Sequence, residues 1–348
     1  MDLESLGWDA AFAEAFQPFQ HDGLVPARVA VEHRSEYVVY SEHGELKTEL
    51  SGRLRFDDGH AAVGDWVALA PRPDEGRGTI HAVLPRRTAF VRKTPWLETK
   101  AQVIAANVDV VFVVCGLDAD FNLRRLERYL TLAWESGAQP VVLLTKADLC
   151  DDVEARVLET ELVAIGVPVH PVSAPRGDGV ELVRSSVPPG QTAALLGSSG
   201  VGKSTLVNAL VGEELLATQP VREEDGRGRH TTSHRQLVLL PDGGLVLDTP
   251  GMRELQLWDA DSGLDTTFAD VQEFAAQCRF ADCAHGREPG CAVRAALADG
   301  TLELERFESW RKLERELEHL ELKQDARALS EARKERRRFA RSMRKTSY

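Results

Sequence analysis

A glycine-rich run that ends in a lysine and two hydroxyl residues carries the clearest chemistry in the sequence. Residues 197–204 fit the pattern Gly-x4-Gly-Lys-Ser, in which successive backbone N–H groups and a helix N-terminus surround a phosphate chain. A strand-like run precedes the loop and a helical run follows it, so we predict a nucleoside triphosphate site. Lys203 would reach the β and γ phosphates, and Ser204 would ligate Mg²⁺. The predicted loop residues are Gly197, Ser198, Ser199, Gly200, Val201, Gly202, Lys203, Ser204 and Thr205.

A second motif predicts that the base is guanine. Residues 145–148 close a strand-like run and resemble the [N/T]KxD element of translation-factor-type GTPases. Guanine, unlike adenine, offers two donors at N1 and N2 that one carboxylate accepts together, so Asp148 would select GTP. Lys146 would lie along the base. Residues 173 and 174 match the second base-reading element of these GTPases, in which the Ala174 N–H would meet the guanine O6. The base-reading candidates are Thr145, Lys146, Ala147, Asp148, Ser173 and Ala174.

A third motif is typical of a sensor for the γ-phosphate. The segment Asp248-Thr249-Pro250-Gly251 leaves a strand-like run and resembles the DxxG element of GTPases. Asp248 would hold Mg²⁺ through water, and the Gly251 N–H would meet the γ-phosphate. The glycine- and arginine-rich segment 226–232 ends in two hydroxyl residues. One of them, Thr231 or Thr232, should complete the Mg²⁺ shell, and the sequence does not separate the two.

The order of these motifs along the chain is unusual. Ordinary GTPases run from the phosphate loop through the switch threonine and DxxG to the base-reading elements. Here the base-reading residues at 145–148 and 173–174 come first. The sequence therefore predicts a circularly permuted GTPase domain.

A cluster of three cysteines and one histidine predicts a structural metal site. Cys278, Cys283, His285 and Cys291 are four ligands of the kinds that close a tetrahedral zinc site. Disulfides are a poor alternative, because three cysteines are an odd number and a cytosolic GTPase lies in a reducing compartment. Chance proximity of buried cysteines is the other alternative, although the intervening residues are typical of a loop. Four protein ligands leave no open position, so we expect support and not catalysis.

The elements that position these motifs fall into five segments. We expect an amphipathic N-terminal extension over residues 1–21, a barrel over 22–95, the permuted GTPase domain over 96–260, a zinc-binding helical domain over 261–330 and a basic tail over 331–348. The extension docks on the core in the favoured interpretation and on a partner in the alternative. Residues 25–31, 37–39, 46–50 and the pair Leu54 and Phe56 alternate as in short strands. We predict an OB-fold with an SH3-like barrel as the alternative. After residue 95 strand-like and helical runs alternate, and this alternation predicts a doubly wound α/β domain.

Composition limits the functions of the chain. Lys and Arg number 42 and Asp and Glu 55, and the net charge of −13 argues against a surface that is basic throughout. Residues 333–345 are the exception, with eight basic residues and one Glu, and form either an RNA phosphate footprint or a solvated end. The N-terminus lacks a secretory pattern, and no apolar run approaches the about 20 residues that span a bilayer. We expect a cytoplasmic protein without membrane contact, a monomer by default.

These features together resemble one protein family. The barrel, the permuted GTPase and the zinc motif, with the segments 63–67 (Val-Gly-Asp-Trp-Val), 228–232 (Gly-Arg-His-Thr-Thr) and 288–293 (Glu-Pro-Gly-Cys-Ala-Val), resemble the RsgA (YjeQ) family of ribosome small subunit-dependent GTPases over about residues 22–325. The resemblance implies binding to the 30S subunit and 16S rRNA late in assembly, GTP hydrolysis stimulated by that subunit, and release of another assembly factor. It favours the barrel as the RNA-binding part.

Catalysis needs a substitute for a missing side chain. Many GTPases place a water-orienting Gln after the DxxG glycine, where this chain has Met252. The resemblance implies a hydrophobic residue at that position and suggests that His230 takes over the role of the glutamine. Two alternatives stay open beside this assignment. In one, the chain is an RNA-binding module for which GTP is only a conformational ligand. In the other, it is a permuted GTPase that acts on a different RNA or protein.

Overall fold

The computed structural model describes residues 1–33, 36–57, 59–93, 101–212, 235–248, 261–320 and 322. A barrel, a mainly parallel sheet with helices on both faces, and a C-terminal group of helices follow one another along the chain. The basic segment 333–345 lies outside the described residues, so its role stays a prediction. The five segment boundaries proposed above also stay predictions.

The first part is a closed five-stranded barrel of the OB type, as expected. Strand order is β1-β2-β3-β5-β4, the pairing of β4 with β1 closes the barrel, and β3 and β5 are parallel. A short helix, α2, joins β3 to β4. The barrel elements are β1 Val25–Glu32, β2 Tyr37–Ser41, β3 Gly44–Leu50, α2 Gly52–Phe56, β4 Trp66–Arg72 and β5 Arg77–Val83.

One predicted strand of the barrel is wrong. Leu54 and Phe56 belong to α2, where the Ser51 side chain accepts a hydrogen bond from the Leu54 N–H (3.3 Å) and caps the helix. Two apolar residues two positions apart point to different faces of a helix. Accordingly, Leu54 packs against the barrel core, whereas Phe56 is 90% exposed. A pattern this short does not separate a strand from one turn of helix.

The second part confirms the doubly wound α/β prediction. Five parallel strands lie in the order β10-β9-β8-β11-β13, and β12 pairs antiparallel with β13. All seven residues of β8 are buried, as expected for a strand covered by helices on both faces. The elements are β8 Val110–Gly116, α3 Leu123–Glu135, β9 Gln139–Thr145, α4 Val153–Val163, β10 Val169–Val172, α5 Val180–Ser185, β11 Thr192–Leu196, α6 Lys203–Val211, β12 Arg235–Leu239 and β13 Leu245–Asp248.

Barrel and sheet are joined by backbone hydrogen bonds. The end of β1 pairs antiparallel with the start of β12, with Val31 opposite Gln236 and Glu32 opposite Arg235. One 11-stranded sheet therefore runs from the edge of the α/β domain into the barrel. Two further strands, β6 Ala89–Lys93 and β7 Ala101–Ala106, form a separate antiparallel pair between the two parts. The alternation of apolar residues in the sequence does not indicate this pair.

The N-terminal segment packs on the barrel through aromatic side chains. Its helix α1, Ala10–Phe16, begins after Asp9, whose carboxylate accepts hydrogen bonds from two N–H groups of the first turn. Phe12 and Phe16 are buried, and the Trp8 ring meets the Trp66 ring edge-on with centroids 4.7 Å apart. This segment is therefore a layer of the core, as its apolar spacing predicts.

A buried arginine links the segment, the barrel and the α/β domain. Arg28 on β1 is 2% exposed and donates hydrogen bonds to the carbonyl oxygens of Gly64 (3.3 Å), Asn107 (3.0 Å) and Leu6. It also donates to the Thr192 hydroxyl (2.8 Å) at the start of β11. Burial lowers the pKa of Arg28 to about 10, against the opposing charges of nearby carboxylates. The guanidinium is therefore charged at neutral pH.

The C-terminal helices dock on α3. The Glu127 carboxylate of α3, which is fully buried, accepts hydrogen bonds from Arg306 (2.8 Å) and from the Ser309 hydroxyl. Arg306 also pairs with Asp270 (2.9 Å), so one buried guanidinium connects three helices. These C-terminal elements are α7 Asp261–Thr267, α8 Ala269–Ala275, α9 Ala292–Asp299 and α10, residues 304–320.

We expect Arg28→Ala to lower the free energy of unfolding by about 3 to 5 kcal/mol, because four buried acceptors lose their donor. Arg28→Lys keeps the charge but has fewer donors, so it should lower the free energy of unfolding by only part of that amount. Urea unfolding followed by circular dichroism measures both. Arg53→Ala is the matched control, because that side chain is 94% exposed and should change the free energy by less than about 0.5 kcal/mol. A loss for Arg28→Ala no larger than that of the control would contradict the expectation.

Candidate nucleotide site and metal centre

The glycine-rich loop lies between β11 and α6 at the carboxyl end of the parallel sheet. Gly197 passes so close to β8 that an added Cβ would lie 2.4 Å from the Val114 carbonyl oxygen. Gly200 and Gly202 have φ angles of +76° and +95°, in the left-handed region that side chains other than glycine seldom adopt. The loop therefore requires glycine at three positions for its backbone path, and it ends where α6 begins.

The loop is held by a contact from Lys203 and by one buried apolar residue. The Lys203 ammonium donates hydrogen bonds to the carbonyl oxygens of Gly197 (2.7 Å) and Ser198, so it lies across the concave side of its own loop. Ser204 and Thr205 occupy the first turn of α6 and are half-buried, while Val201 anchors the loop in the core with 1% exposure. Helix N-termini with backbone N–H groups in such a loop attract phosphate.

Thr145, the last residue of β9, connects the predicted base-reading segment to the glycine-rich loop. Its hydroxyl lies within hydrogen-bond distance of the carbonyl oxygens of Val201 and Cys115 (3.3 Å). The next residue, Lys146, has a φ of +59°, which turns the chain sharply at the end of the strand. Ala147 and Asp148 then follow in a single 3-10 turn. The two motifs predicted from separate parts of the sequence are thus in direct contact.

Asp148 and Ser173 meet across the ends of two neighbouring strands. The Ser173 hydroxyl donates a 2.7 Å hydrogen bond to the Asp148 carboxylate. That hydrogen bond holds the pKa of Asp148 below its ordinary value, so the carboxylate is ionised at neutral pH. Ser173 also begins a tight turn, with its N–H bonded to the Asp178 carbonyl oxygen (2.9 Å), and this turn contains Ala174. The structure therefore brings together the two segments that are predicted to contact the base, although these two residues are 25 positions apart.

One charged neighbour of this site was missed by the sequence analysis. The Asp118 carboxylate lies 2.5 Å from the Lys146 ammonium, in the loop that follows β8. Burial opposes the ionisation of Asp118, but the hydrogen bonds from Lys146 and from the Asp120 N–H, together with the charge of Lys146, leave the pKa below its ordinary value. The available signal was an acidic residue two positions after a buried parallel strand, since the ends of such strands line ligand sites.

The remaining switch residues are only partly described. Asp248 ends β13 beside the strand that leads into the phosphate loop, so its backbone reaches the same edge of the sheet. His230, Thr231, Thr232 and Gly251 lie outside the described residues, as does Met252. Their predicted roles therefore stay predictions.

The four predicted zinc ligands form one cluster, and their donor atoms all lie within 4.8 Å of one another. The Sγ atoms of Cys278 and Cys291 are 3.8 Å apart, and His285 Nδ1 lies 3.6 Å from the first and 3.5 Å from the second. A tetrahedral ion with Zn–S bonds of about 2.3 Å and a Zn–N bond of about 2.0–2.1 Å has edges of about 3.8 and about 3.6 Å. The donor set, which includes Cys283, fits a zinc ion.

The cluster is built into the packing of the C-terminal helices. Cys291 caps α9, with its Sγ accepting a hydrogen bond from the Arg294 N–H (3.5 Å). The His285 ring contacts the aromatic rings of Trp310 and Phe307 on α10, with centroids 5.7 and 6.4 Å apart. An ion held by these ligands would fix α9 and α10 relative to each other.

Among the described residues, no helix combines the length and the apolar composition that a membrane crossing requires.

Comparison with known proteins is consistent with this geometry. A family model described as RsgA GTPase matches residues 83–258. A second model, described as ABC transporter, matches residues 180–347, a range that also contains the phosphate loop. Curated relatives named small ribosomal subunit biogenesis GTPase RsgA include one from Opitutus terrae, 52% identical over 91% of this chain and 90% of its own length. Another, from Streptomyces coelicolor, is 47% identical over 97% of this chain and 92% of its own.

Solved structures agree with the fold. The crystal structure of YjeQ from Thermotoga maritima has a TM-score of 0.64 and 29% identity, covering 84% of this chain and 98% of its own. The structure of YloQ, described as a circularly permuted GTPase, also has a TM-score of 0.64, with 24% identity over 86% of this chain and 96% of its own. This likeness supports the permuted fold predicted from the order of the motifs. On the family model and the extent of the curated relatives, the chain belongs to the RsgA GTPase family.

Proposed function

We propose that this chain binds and hydrolyses GTP on the small ribosomal subunit, as an assembly factor that contacts 16S rRNA late in maturation. The observation that carries the nucleotide assignment is the pairing of Ser173 with Asp148 at the sheet edge that also holds the phosphate loop. The names of the curated relatives support the subunit as partner. Participation of other assembly factors, a cytoplasmic location and a monomeric state complete the proposal.

Guanine is selected by charge at one end of the site. Asp148 is ionised and oriented by Ser173, so both of its oxygens can accept hydrogen bonds from the N1 and N2 donors of guanine. Adenine has no such donor pair. The Ala174 N–H, in the turn that begins at Ser173, is then the partner of the guanine O6.

Phosphates are held at the other end by backbone donors and by Lys203. The Lys203 ammonium already lies across the concave side of the loop, where it can move from the Gly197 carbonyl oxygen to a phosphate oxygen. Ser204, Asp248 through a water molecule, and either Thr231 or Thr232 are the Mg²⁺ ligands in this proposal. Mg²⁺ supplies positive charge against the negative charge that spreads over the transferred phosphoryl group.

His230 takes the place of the missing glutamine in catalysis. Met252 cannot accept a hydrogen bond from water, whereas an imidazole can orient or accept from one. In this proposal His230 positions the attacking water, and Lys203 stabilises the charge that develops.

The cysteine cluster binds one structural zinc ion. Three thiolates and one imidazole fill a tetrahedral shell, so no position is left for a substrate. The ion holds α9 against α10, which in turn docks on α3 through Arg306 and Glu127. Zinc therefore supports the surface next to the GTPase domain and takes no part in hydrolysis.

The OB barrel and the basic tail are the RNA-binding parts in this proposal. Faces of OB barrels bind nucleic acid in many proteins, and eight basic residues within 333–345 suit a phosphate backbone. Two rivals make different predictions. A module that uses GTP only as a conformational ligand keeps its function when hydrolysis is abolished. A GTPase that acts on another target is not stimulated by the small subunit.

We expect isolated small ribosomal subunits to raise the rate of GTP hydrolysis by about tenfold or more, because GTPase partners commonly complete the catalytic site. Large subunits should leave the rate unchanged. Phosphate release by the purified chain alone and with each subunit measures this. Lys203→Ala is the blank and should lose at least about 10²-fold of the stimulated rate. Equal rates in all three mixtures would refute the ribosomal assignment.

Two variants separate the finer assignments, one by its rate in the same assay and one by its binding to the small subunit at several salt concentrations. His230→Ala should reduce the stimulated rate while GTP affinity stays within about twofold, as for a residue that acts only on the attacking water. A chain that ends at residue 332 should bind the small subunit more weakly and with a flatter dependence on salt. Full stimulation of the first variant, or an unaltered salt slope of the second, would remove that residue or segment from the proposal.

We expect Asp148→Asn to lower the affinity for GTP by about 10²-fold, because a charge-assisted pair of hydrogen bonds is replaced by a mismatched amide. Xanthosine triphosphate carries a carbonyl oxygen where guanine has its N2 amine, so the same variant should gain affinity for it. Competition binding with both nucleotides measures the exchange. Asp151→Asn, an exposed carboxylate on the next loop, is the matched control. Unchanged preference for GTP in Asp148→Asn would contradict the assignment of the base site.

We expect the purified chain to contain about one zinc ion and Cys291→Ala to lose it, because three ligands do not close the shell. Trp310 fluorescence should change in that variant, since its ring lies 5.7 Å from that of His285. Metal analysis and fluorescence measure the two effects. Cys150→Ala, a half-buried cysteine outside the cluster, should keep both the ion and the spectrum. Equal zinc content in the two variants would contradict the site.

A further inference from the structure

We propose that Asp118 is a positioning residue for the guanine base, acting through Lys146. This inference rests on the proposed function and on the prediction from the sequence that the Lys146 side chain lies along the base. The Asp118 carboxylate fixes the ammonium end of that side chain before any nucleotide arrives. Asp118 does not belong to the base-reading motifs and touches the site only through its partner.

The pair has the geometry of a strong ion pair. Lys146 Nζ and Asp118 Oδ2 are 2.5 Å apart, and the two side chains are only 21% and 32% exposed. Partial burial of both charges reduces screening by solvent, so such a pair restrains its side chains more than an exposed pair does. The pKa of Asp118 lies below its ordinary value, with burial opposed by the hydrogen bond from Lys146, so the carboxylate is charged at neutral pH.

The loop after β8 is shaped to present this carboxylate. The second oxygen of Asp118 accepts a hydrogen bond from the Asp120 N–H (3.1 Å), and the Asp118 carbonyl oxygen accepts one from the Phe121 N–H (3.0 Å). Gly116 leaves room for it, since an added Cβ there would lie 2.8 Å from Asp118 Oδ1. The Leu117 N–H bonds to the Thr145 carbonyl oxygen (2.9 Å), which ties this loop to the base-reading segment.

Lys146 is fixed at its backbone as well. Its φ of +59° is unusual for a residue with a side chain, and its carbonyl oxygen accepts a hydrogen bond from the Leu149 N–H (2.9 Å). A lysine side chain has four rotatable bonds, and their freedom is lost when the side chain lies against a ligand. With the backbone and the ammonium both held, much of that loss occurs on folding and not on binding.

This arrangement predicts a particular kinetic signature. GDP and GTP share the same base, so loss of the Asp118 carboxylate should lower the affinities for GDP and GTP by the same factor. The phosphate end is unaffected, so kcat at saturating GTP should change far less than KM. A residue that merely stabilises the fold would not produce this split.

The test is a double-mutant cycle with Asp118→Asn and Lys146→Met, which keeps the apolar stem but removes the ammonium. We expect Asp118→Asn to raise the dissociation constants of fluorescent GDP and GTP analogues by about tenfold each, and to add less than about twofold in the Lys146→Met background. Asp120→Asn is the matched control, because Asp120 lies in the same loop but pairs with Arg125 (2.7 Å), and it should bind both analogues as the wild type does. Asp118→Glu should restore part of the affinity.

Three outcomes are informative. An Asp118→Asn variant within about twofold of the wild type overturns the inference. An equal loss in the presence and absence of the Lys146 ammonium also overturns it, because Asp118 would then act on the loop and not on Lys146. Failure of the wild type to bind either guanine nucleotide would refute the proposed function itself. Thermal unfolding of each variant identifies any loss of affinity that comes from a loss of folded protein.

Discussion

The guanidinium of Arg28 is bonded at once to the N-terminal segment, the barrel, the residue that follows strand β7 and the first residue of β11. A buried cation with five donors cannot lose one partner cheaply, because each orphaned acceptor then lies in a low dielectric without water. The positions of these parts are therefore determined together. The strand that leads into the glycine-rich loop begins at Thr192. The hydrogen bond from Arg28 of the barrel to Thr192 therefore helps to position the candidate nucleotide site.

Circular permutation leaves the site intact because the site depends on the order of strands in space. The candidate residues sit at the carboxyl ends of β9, β8, β10, β11 and β13, which are neighbours in one parallel sheet. Parallel strands present these ends at a common edge, whatever the order in which the chain visits them. Thr145 and Val201 show the result, since their contact spans 56 residues in sequence but joins the end of β9 to the loop after β11, with only β8 between these two strands.

Local patterns in the sequence predicted the parts of the structure that local forces determine. The buried runs of β8 and β11, the glycine loop and the cluster of three cysteines and one histidine within 14 residues of chain were all recognisable from residue type and spacing. Leu54 and Phe56 were misread because two positions do not define a period. Arg28 and Asp118 were missed for a different reason. Their partners are up to 164 and 28 residues away, and a single charged residue in a sequence does not reveal a partner at such a distance.

The shared sheet also limits how this chain can be divided. Because β1 belongs to the barrel and pairs with β12 of the α/β domain, a cut between the two parts would expose backbone donors and acceptors on both sides. Uncovered strand edges favour pairing with other chains and hence aggregation. Gene fusions that exchange the barrel for another module would have to supply a replacement strand in the same register. The boundary between these parts is therefore a poor site for recombination, even though each part has its own recognisable fold.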